Sequence, residues 1–202
     1  MVVNASAFDV EGLDLRLGYA YTVNEYEGQG SEGVPLDTYV GLALPARFSG
    51  LPVGVGLTVD VLYREYLVTS DGPVVPTQIE TGSDAGVGVG GVLGLIMGTP
   101  VTLSLRPIDS LSISVGGSPT VVLRIPVRNI EGDTTAMRQY FADRILFPET
   151  MLSVVYDYSD SWSFGFTGRW LLPVFNNRME TDLPVRDQMM IAGHLIIRRQ
   201  FD

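Results

Sequence analysis

His194 is the only histidine of the chain, and cysteine is absent. Serine–histidine–aspartate hydrolysis and zinc ligation by several imidazoles or thiolates therefore have little to work with. No catalytic centre, metal site or cofactor is expected. The run G-V-G-V-G-G at 86–91 has the glycine spacing of a nucleotide loop, yet it lies inside an alternating strand pattern and opens no helix. What remains is charge. The basic residues, 13 in all, are arginines without a single lysine. Arg16, Arg47, Arg64, Arg106, Arg124, Arg128, Arg169 and Arg198 alternate with large apolar residues, as do Asp14, Asp60, Asp157 and His194.

Groups so spaced need strands to carry them. The stretch 13–23 reads L-D-L-R-L-G-Y-A-Y-T-V, apolar at every second residue, and 53–63 repeats the pattern. Period-two alternation describes a strand whose faces meet different surroundings. The second face is built from Gly, Ser, Ala and Thr with a few Arg and Asp. On a soluble barrel it would be crowded with Lys, Glu and Gln. Small residues interspersed with arginine instead fit a confined lumen, where glycines leave room for long side chains. The apolar row then faces lipid. Tyr19, Tyr21, Tyr63, Tyr156, Tyr158, Trp162 and Trp170 stand at the ends of that row, as interfacial girdles require.

Composition agrees. Mean hydropathy is +0.22 and only 18% of residues are charged, against about 25% in soluble domains. No run approaches the roughly 18 apolar residues of a membrane helix. A net charge of -10 opposes nucleic-acid binding, which needs basic surface. Residues 1–11 form an N-terminal segment in which Ala5-Ser6-Ala7 matches a signal-peptidase site, the expected remnant of a signal peptide. Residues 12–202 form one barrel domain.

Strands are expected at 13–23, 38–48, 53–66, 85–97, 150–158, 162–174 and 189–201, with a less regular middle from 101 to 128. Short turns at 49–52 and 159–161 alternate with long connections at 24–37, 67–84 and 175–187. That is the pattern of a barrel with short periplasmic turns and long outer loops. Treating Gly116–Pro119 as a bulge yields eight strands. Treating 98–100, 107–110 and 116–119 all as turns yields ten, but with strands shorter than the 9–11 residues a bilayer takes. Eight is therefore favoured. Residues 133–146 have helical spacing, with Asp133 or Thr134 as cap and Pro148 beyond the end, and predict a short helix in a long loop.

The fold class expected is thus all-β, an antiparallel up-and-down transmembrane barrel. The segment 156–166, Y-D-Y-S-D-S-W-S-F-G-F, resembles the penultimate hairpin of small outer-membrane barrels of the OmpW/OmpX/OmpA type. Leu195, Ile197 and Phe201 resemble their C-terminal assembly signal, departing from it in that Asp202 follows the aromatic. The resemblance implies insertion in the outer membrane of a diderm bacterium and contact with outer-membrane lipid. It also implies recognition by the barrel-assembly machinery, and either passage of small solutes or a role in adhesion and envelope integrity.

Two states of the lumen stay open: a sealed, salt-bridged bore, or a narrow path whose arginine surplus favours small anionic solutes. Two other classes compete with both. A soluble periplasmic lipocalin-like barrel would bind an apolar ligand on an inward apolar face. A lipid-modifying barrel enzyme would need a polar cluster around His194.

Overall fold

The computed structural model describes residues 8–26, 30–33, 37–68, 74–76, 88–128, 145–172 and 185–201. Among these every regular element is a strand and every ladder is antiparallel. The spanning strands are β1 (Gly12–Tyr26), β2 (Asp37–Arg47), β3 (Val53–Val68), β4 (Gly88–Gly98 continued by Val101–Ile108), β5 (Leu111–Ser118 continued by Thr120–Arg128), β6 (Glu149–Ser159), β7 (Trp162–Leu171) and β8 (Val185–Gln200).

β4 and β5 are each one strand with an interruption. Thr58 faces Gly98 and Val55 faces Val101, so both halves of β4 meet β3 in a single register. The break falls at Thr99–Pro100, where proline has no N–H to give the ladder; the Pro100 carbonyl still accepts from the Gly56 amide at 2.9 Å. Likewise Gly117 faces Val101 while Thr120 faces Gly98, across a break at Pro119. Eight strands result, and the ten-strand alternative falls away because its extra turns are interruptions within a continuous ladder.

Each strand pairs with the next, and β8 pairs with β1 from Val185–Tyr26 down to Gln200–Gly12. The ladders therefore run from strand to strand around a ring that returns to β1. Residues 49–52, 109–110 and 160–161 turn tightly at one rim, and Gly50 takes the left-handed conformation (φ 78°) in the first of them. The strand ends that the longer connections join lie at the opposite rim. Asp9–Val10 extends the wall before β1 by pairing with Arg47–Ala46.

Several strand ends differ from those read from periodicity. β6 opens at Glu149 and β8 at Val185, while β7 closes at Leu171. The helix expected over 133–146 lies outside the described residues except at its end. There the structure departs from it, since Leu146 bridges Val121 as a continuation of β6.

Burial alternates along the wall as the pleat requires. Asp14, Arg16 and Ala20 are buried while Leu13, Leu15, Leu17, Tyr19 and Tyr21 are exposed. The exposed row continues through Val40, Leu42, Leu44, Leu57, Val61, Leu103, Leu152, Phe166 and Leu195. All seven expected girdle aromatics lie on this outer face, from Tyr21 at 36% exposure to Tyr158 at 72%. Tyr156, Tyr158 and Trp162 sit near the short-turn rim; Tyr19, Tyr21, Tyr63 and Trp170 lie toward the other. An apolar outer face is the reverse of the lipocalin arrangement.

Candidate functional site

The interior is layered along the barrel axis. Next to the short-turn rim lies a polar vestibule, a cavity of about 110 Å³ lined by residues of all eight strands, among them Asp14, Arg47, Arg106, Ser114, Asp157 and Arg198. One side of it carries ion pairs. Arg198 Nε and Nη2 donate to the two carboxylate oxygens of Asp14 at 2.6 and 3.1 Å. Since these residues face each other across β8 and β1, the pair spans the junction of the last and first strands. Glu11 accepts from Arg198 at 3.0 Å and meets Arg47 at 2.9 Å.

The rest of its lining carries hydroxyls. Ser104 meets Ser114 at 2.8 Å and Ser153 meets Thr167 at 2.6 Å. Asp157 accepts from Ser163 at 2.8 Å and from the Gln200 amide at 3.1 Å.

At mid-depth a charged layer crosses the bore. Arg169 reaches from β7 to Asp60 of β3, with Nη1 to Oδ2 at 2.6 Å, while its Nη2 and Nε donate to Glu149 Oε2 at 2.6 and 3.1 Å. Asp60 also draws Arg16: Nη1 to Oδ1 is 3.2 Å, a charge contact out of line for a hydrogen bond. Side-chain exposure in this group is 4% or less. Gly41, opposite Asp60 on the ladder, makes the site fit, because a β-carbon there would fall on the Asp60 carboxylate. Isolated charges would be costly in such surroundings; paired guanidinium and carboxylate groups persist there by direct attraction.

His194 belongs to the same layer. Arg16 Nε donates to His194 Nε2 at 3.0 Å. A guanidinium only donates, so Nε2 accepts and Nδ1 carries the ring proton. Nδ1 then donates to the Tyr39 hydroxyl oxygen at 2.6 Å. The imidazole is engaged on both edges by structural partners, Arg16 and Tyr39, with Arg198 lying nearer the vestibule mouth. Among the described residues no cluster of His, Cys, Asp and Glu could hold a metal.

Above the charges, toward the long-loop rim, the bore turns apolar. Leu62, Ile96, Val122, Phe147, Leu171 and Met190 pack there with Ala20, Ala192 and the Tyr39 ring. Gly94 gives its space to Leu62 rather than to an arginine. Arg124 stacks over Phe147 at 5.2 Å and lines a hollow of about 20 Å³ with Arg64, which is paired with Asp37.

Of the arginines and acids expected inward, Asp14, Arg16, Asp60, Arg64, Arg169 and His194 are buried, and Arg47, Arg124, Asp157 and Arg198 partly so. Arg106 is exposed at the vestibule mouth, and the Arg128 side chain lies outside the described set. Glu11, Asp37, Tyr39 and Glu149 also point inward. Asp37 and Tyr39 share the parity of Gly41, and Glu149 that of Asp157, so two more residues of alternation would find them. Glu11 follows no such rule: the pairing Asp9–Arg47 and the pairing Asp14–Ala43 differ by one residue, a bulge that turns Glu11 inward. With these acids included, five arginines (Arg16, Arg47, Arg64, Arg169, Arg198) meet five carboxylates in the described ion pairs. The expected arginine surplus is thereby largely neutralised within the wall.

Leu195 is exposed and Ile197 half-buried on the outer face of β8, and Phe201, just past its end, is exposed.

No protein-family profile matches the chain, and no curated protein matches it in sequence. Solved structures do match in shape. Neisserial surface protein A superposes with a TM-score of 0.53 at 8% identity, over 95% of this chain and 99% of that one. The outer membrane protein OprG from Pseudomonas aeruginosa gives 0.51 at 12% identity, over 95% of each chain. The chain has the fold of the small eight-stranded outer-membrane β-barrels.

Proposed function

We propose that this chain is an integral outer-membrane barrel whose bore is sealed at mid-depth, serving the envelope through its wall and loops rather than as a solute channel. The observation that carries the reading is the pair of stacked layers. Arg169, Asp60, Glu149 and Arg16 close the bore with charge, and Leu62, Ile96, Val122, Phe147 and Leu171 close it again with apolar bulk. An anion path needs arginines free to exchange partners with a passing solute. Here the mid-depth guanidiniums are already held by carboxylates. The engagement of His194 by Arg16 and Tyr39 argues in the same way against a lipid-modifying enzyme.

Purified protein folded in detergent is expected to migrate differently before and after boiling, and to give no ohmic steps in planar bilayers. Steady unitary conductance from wild-type protein would overturn the sealed bore. Solubility without detergent, with no mobility shift, would overturn the membrane barrel itself.

A further inference from the structure

The outer face of the wall is apolar at nearly every described position, with one charged exception. Among the described side chains of the eight spanning strands, Arg199 alone carries a charge outward, in the row of Leu195 and Ile197. It lies one residue from the end of β8, opposite Trp162, the first residue of β7. Both are therefore at the short-turn rim, where headgroups meet the hydrocarbon.

The guanidinium lies over the Trp162 ring, 5.4 Å from its centroid, and Nη1 donates to the Ser161 carbonyl at 3.3 Å. No carboxylate among the described residues pairs with it, whereas the neighbouring Arg198 points inward to Asp14 and Glu11. The ring and the carbonyl hold the group in place on one side. Among the described residues nothing else takes its remaining N–H groups. Tyr158 and Phe164 meet edge to face at 6.1 Å beside it, and Phe201 is 52% exposed, so aromatic surface borders the cation.

We propose that Arg199 and Trp162 form a docking site for the phosphate of a membrane phospholipid at the short-turn rim. A planar guanidinium matches phosphate oxygens two at a time, and the aromatic border receives the glycerol and upper acyl chain. Charge complementarity selects this occupant, since a cation fixed at the lipid boundary faces a layer rich in phosphate. The inference rests on the membrane reading above.

The test uses full-length barrels folded into vesicles of equimolar phosphatidylglycerol and phosphatidylcholine, released in mild detergent and weighed by native mass spectrometry. Wild type is expected to retain a tightly held phospholipid, Arg199→Gln to reduce its occupancy at least fivefold, and Arg199→Lys to retain part of it. Equal retention by inserted wild type and Arg199→Gln would overturn the site while leaving the membrane barrel standing. Should Arg199→Gln fail to insert, Trp162→Phe decides: a reduced occupancy supports the site and an unchanged one overturns it. Displacement of the lipid by millimolar inorganic phosphate would mark a site for free phosphate and overturn the proposal. Failure of wild type to float with vesicles would remove this site and the membrane reading together.

Discussion

Arg169 and Asp60 lie 109 residues apart in sequence and meet across the bore at 2.6 Å, joining β7 directly to β3. The ladders hold each strand only to its neighbours; this contact ties opposite walls. Asp60 is fully buried and faces a second arginine, Arg16, so one carboxylate serves two guanidiniums.

Removing that carboxylate leaves two buried cations facing each other with Glu149 as the remaining acid. Breaking a buried pair costs about 3–5 kcal/mol because the surviving charge is left uncompensated. Asp60→Ala is therefore expected to lower the urea midpoint of the vesicle-embedded barrel by that equivalent. A loss below about 1 kcal/mol would mean that the layer is solvated and behaves like a surface pair.

Gly41 tests the same layer sterically. A β-carbon at Gly41 would occupy the position of the Asp60 carboxylate. Overpacking a fitted interior costs about 1–3 kcal/mol, so Gly41→Ala should destabilise although alanine is accommodated in strands elsewhere. Gly50→Ser is the contrasting change: space around Gly50 is open, and its cost comes from the left-handed backbone alone. Urea titration of both variants separates crowding from backbone strain, and a silent Gly41→Ala would refute the close packing of Asp60.

Alternation made the wall readable because its period is local: each of Leu13 to Tyr21 declares its face from its neighbours. The same logic oriented Asp14, Arg16, Asp60 and Arg169 without any structure. It did not pair them, since the partner of Arg169 depends on how far the ring closes and which strand comes opposite. Periodicity also overlooked the apolar inward residues. Leu62, Val122 and Met190 have the composition of a lipid row but share the parity of Asp60, Arg124 and His194, so composition masked what alternation implied. Glu11 escaped because a bulge breaks the parity on which the reading depends, and the layering of the bore is legible only after those residues are placed.

His194 offers a spectroscopic check, being the only histidine in the chain. Arg16 donates to Nε2, which fixes the ring as the Nδ1-protonated tautomer. Long-range ¹⁵N–¹H spectra of the micelle-bound barrel should therefore show a protonated Nδ1 and an unprotonated Nε2. Tyr39→Phe removes the acceptor of that proton and should cost about 1 kcal/mol, with insertion unchanged. An Nε2-protonated ring would show that the Arg16 contact is not formed.

The outer face makes the most general prediction, because lipid penalises charge according to depth. Phe166 lies midway along β7 and is 52% exposed, while Tyr158, 72% exposed, stands at the short-turn end of β6. Arginine on the lipid face costs about 2–4 kcal/mol at the bilayer midplane and about 0–1 near the interface. Phe166→Arg should accordingly lose most of its folded fraction in vesicles, with Tyr158→Arg nearly unaffected, as read by the heat-dependent mobility shift and by urea titration. In a water-facing wall the ordering would vanish, since an arginine replacing either exposed aromatic would remain hydrated. Equal and small effects at both positions would thus exclude lipid contact at Phe166, whereas a large difference between them assigns the apolar belt to the membrane.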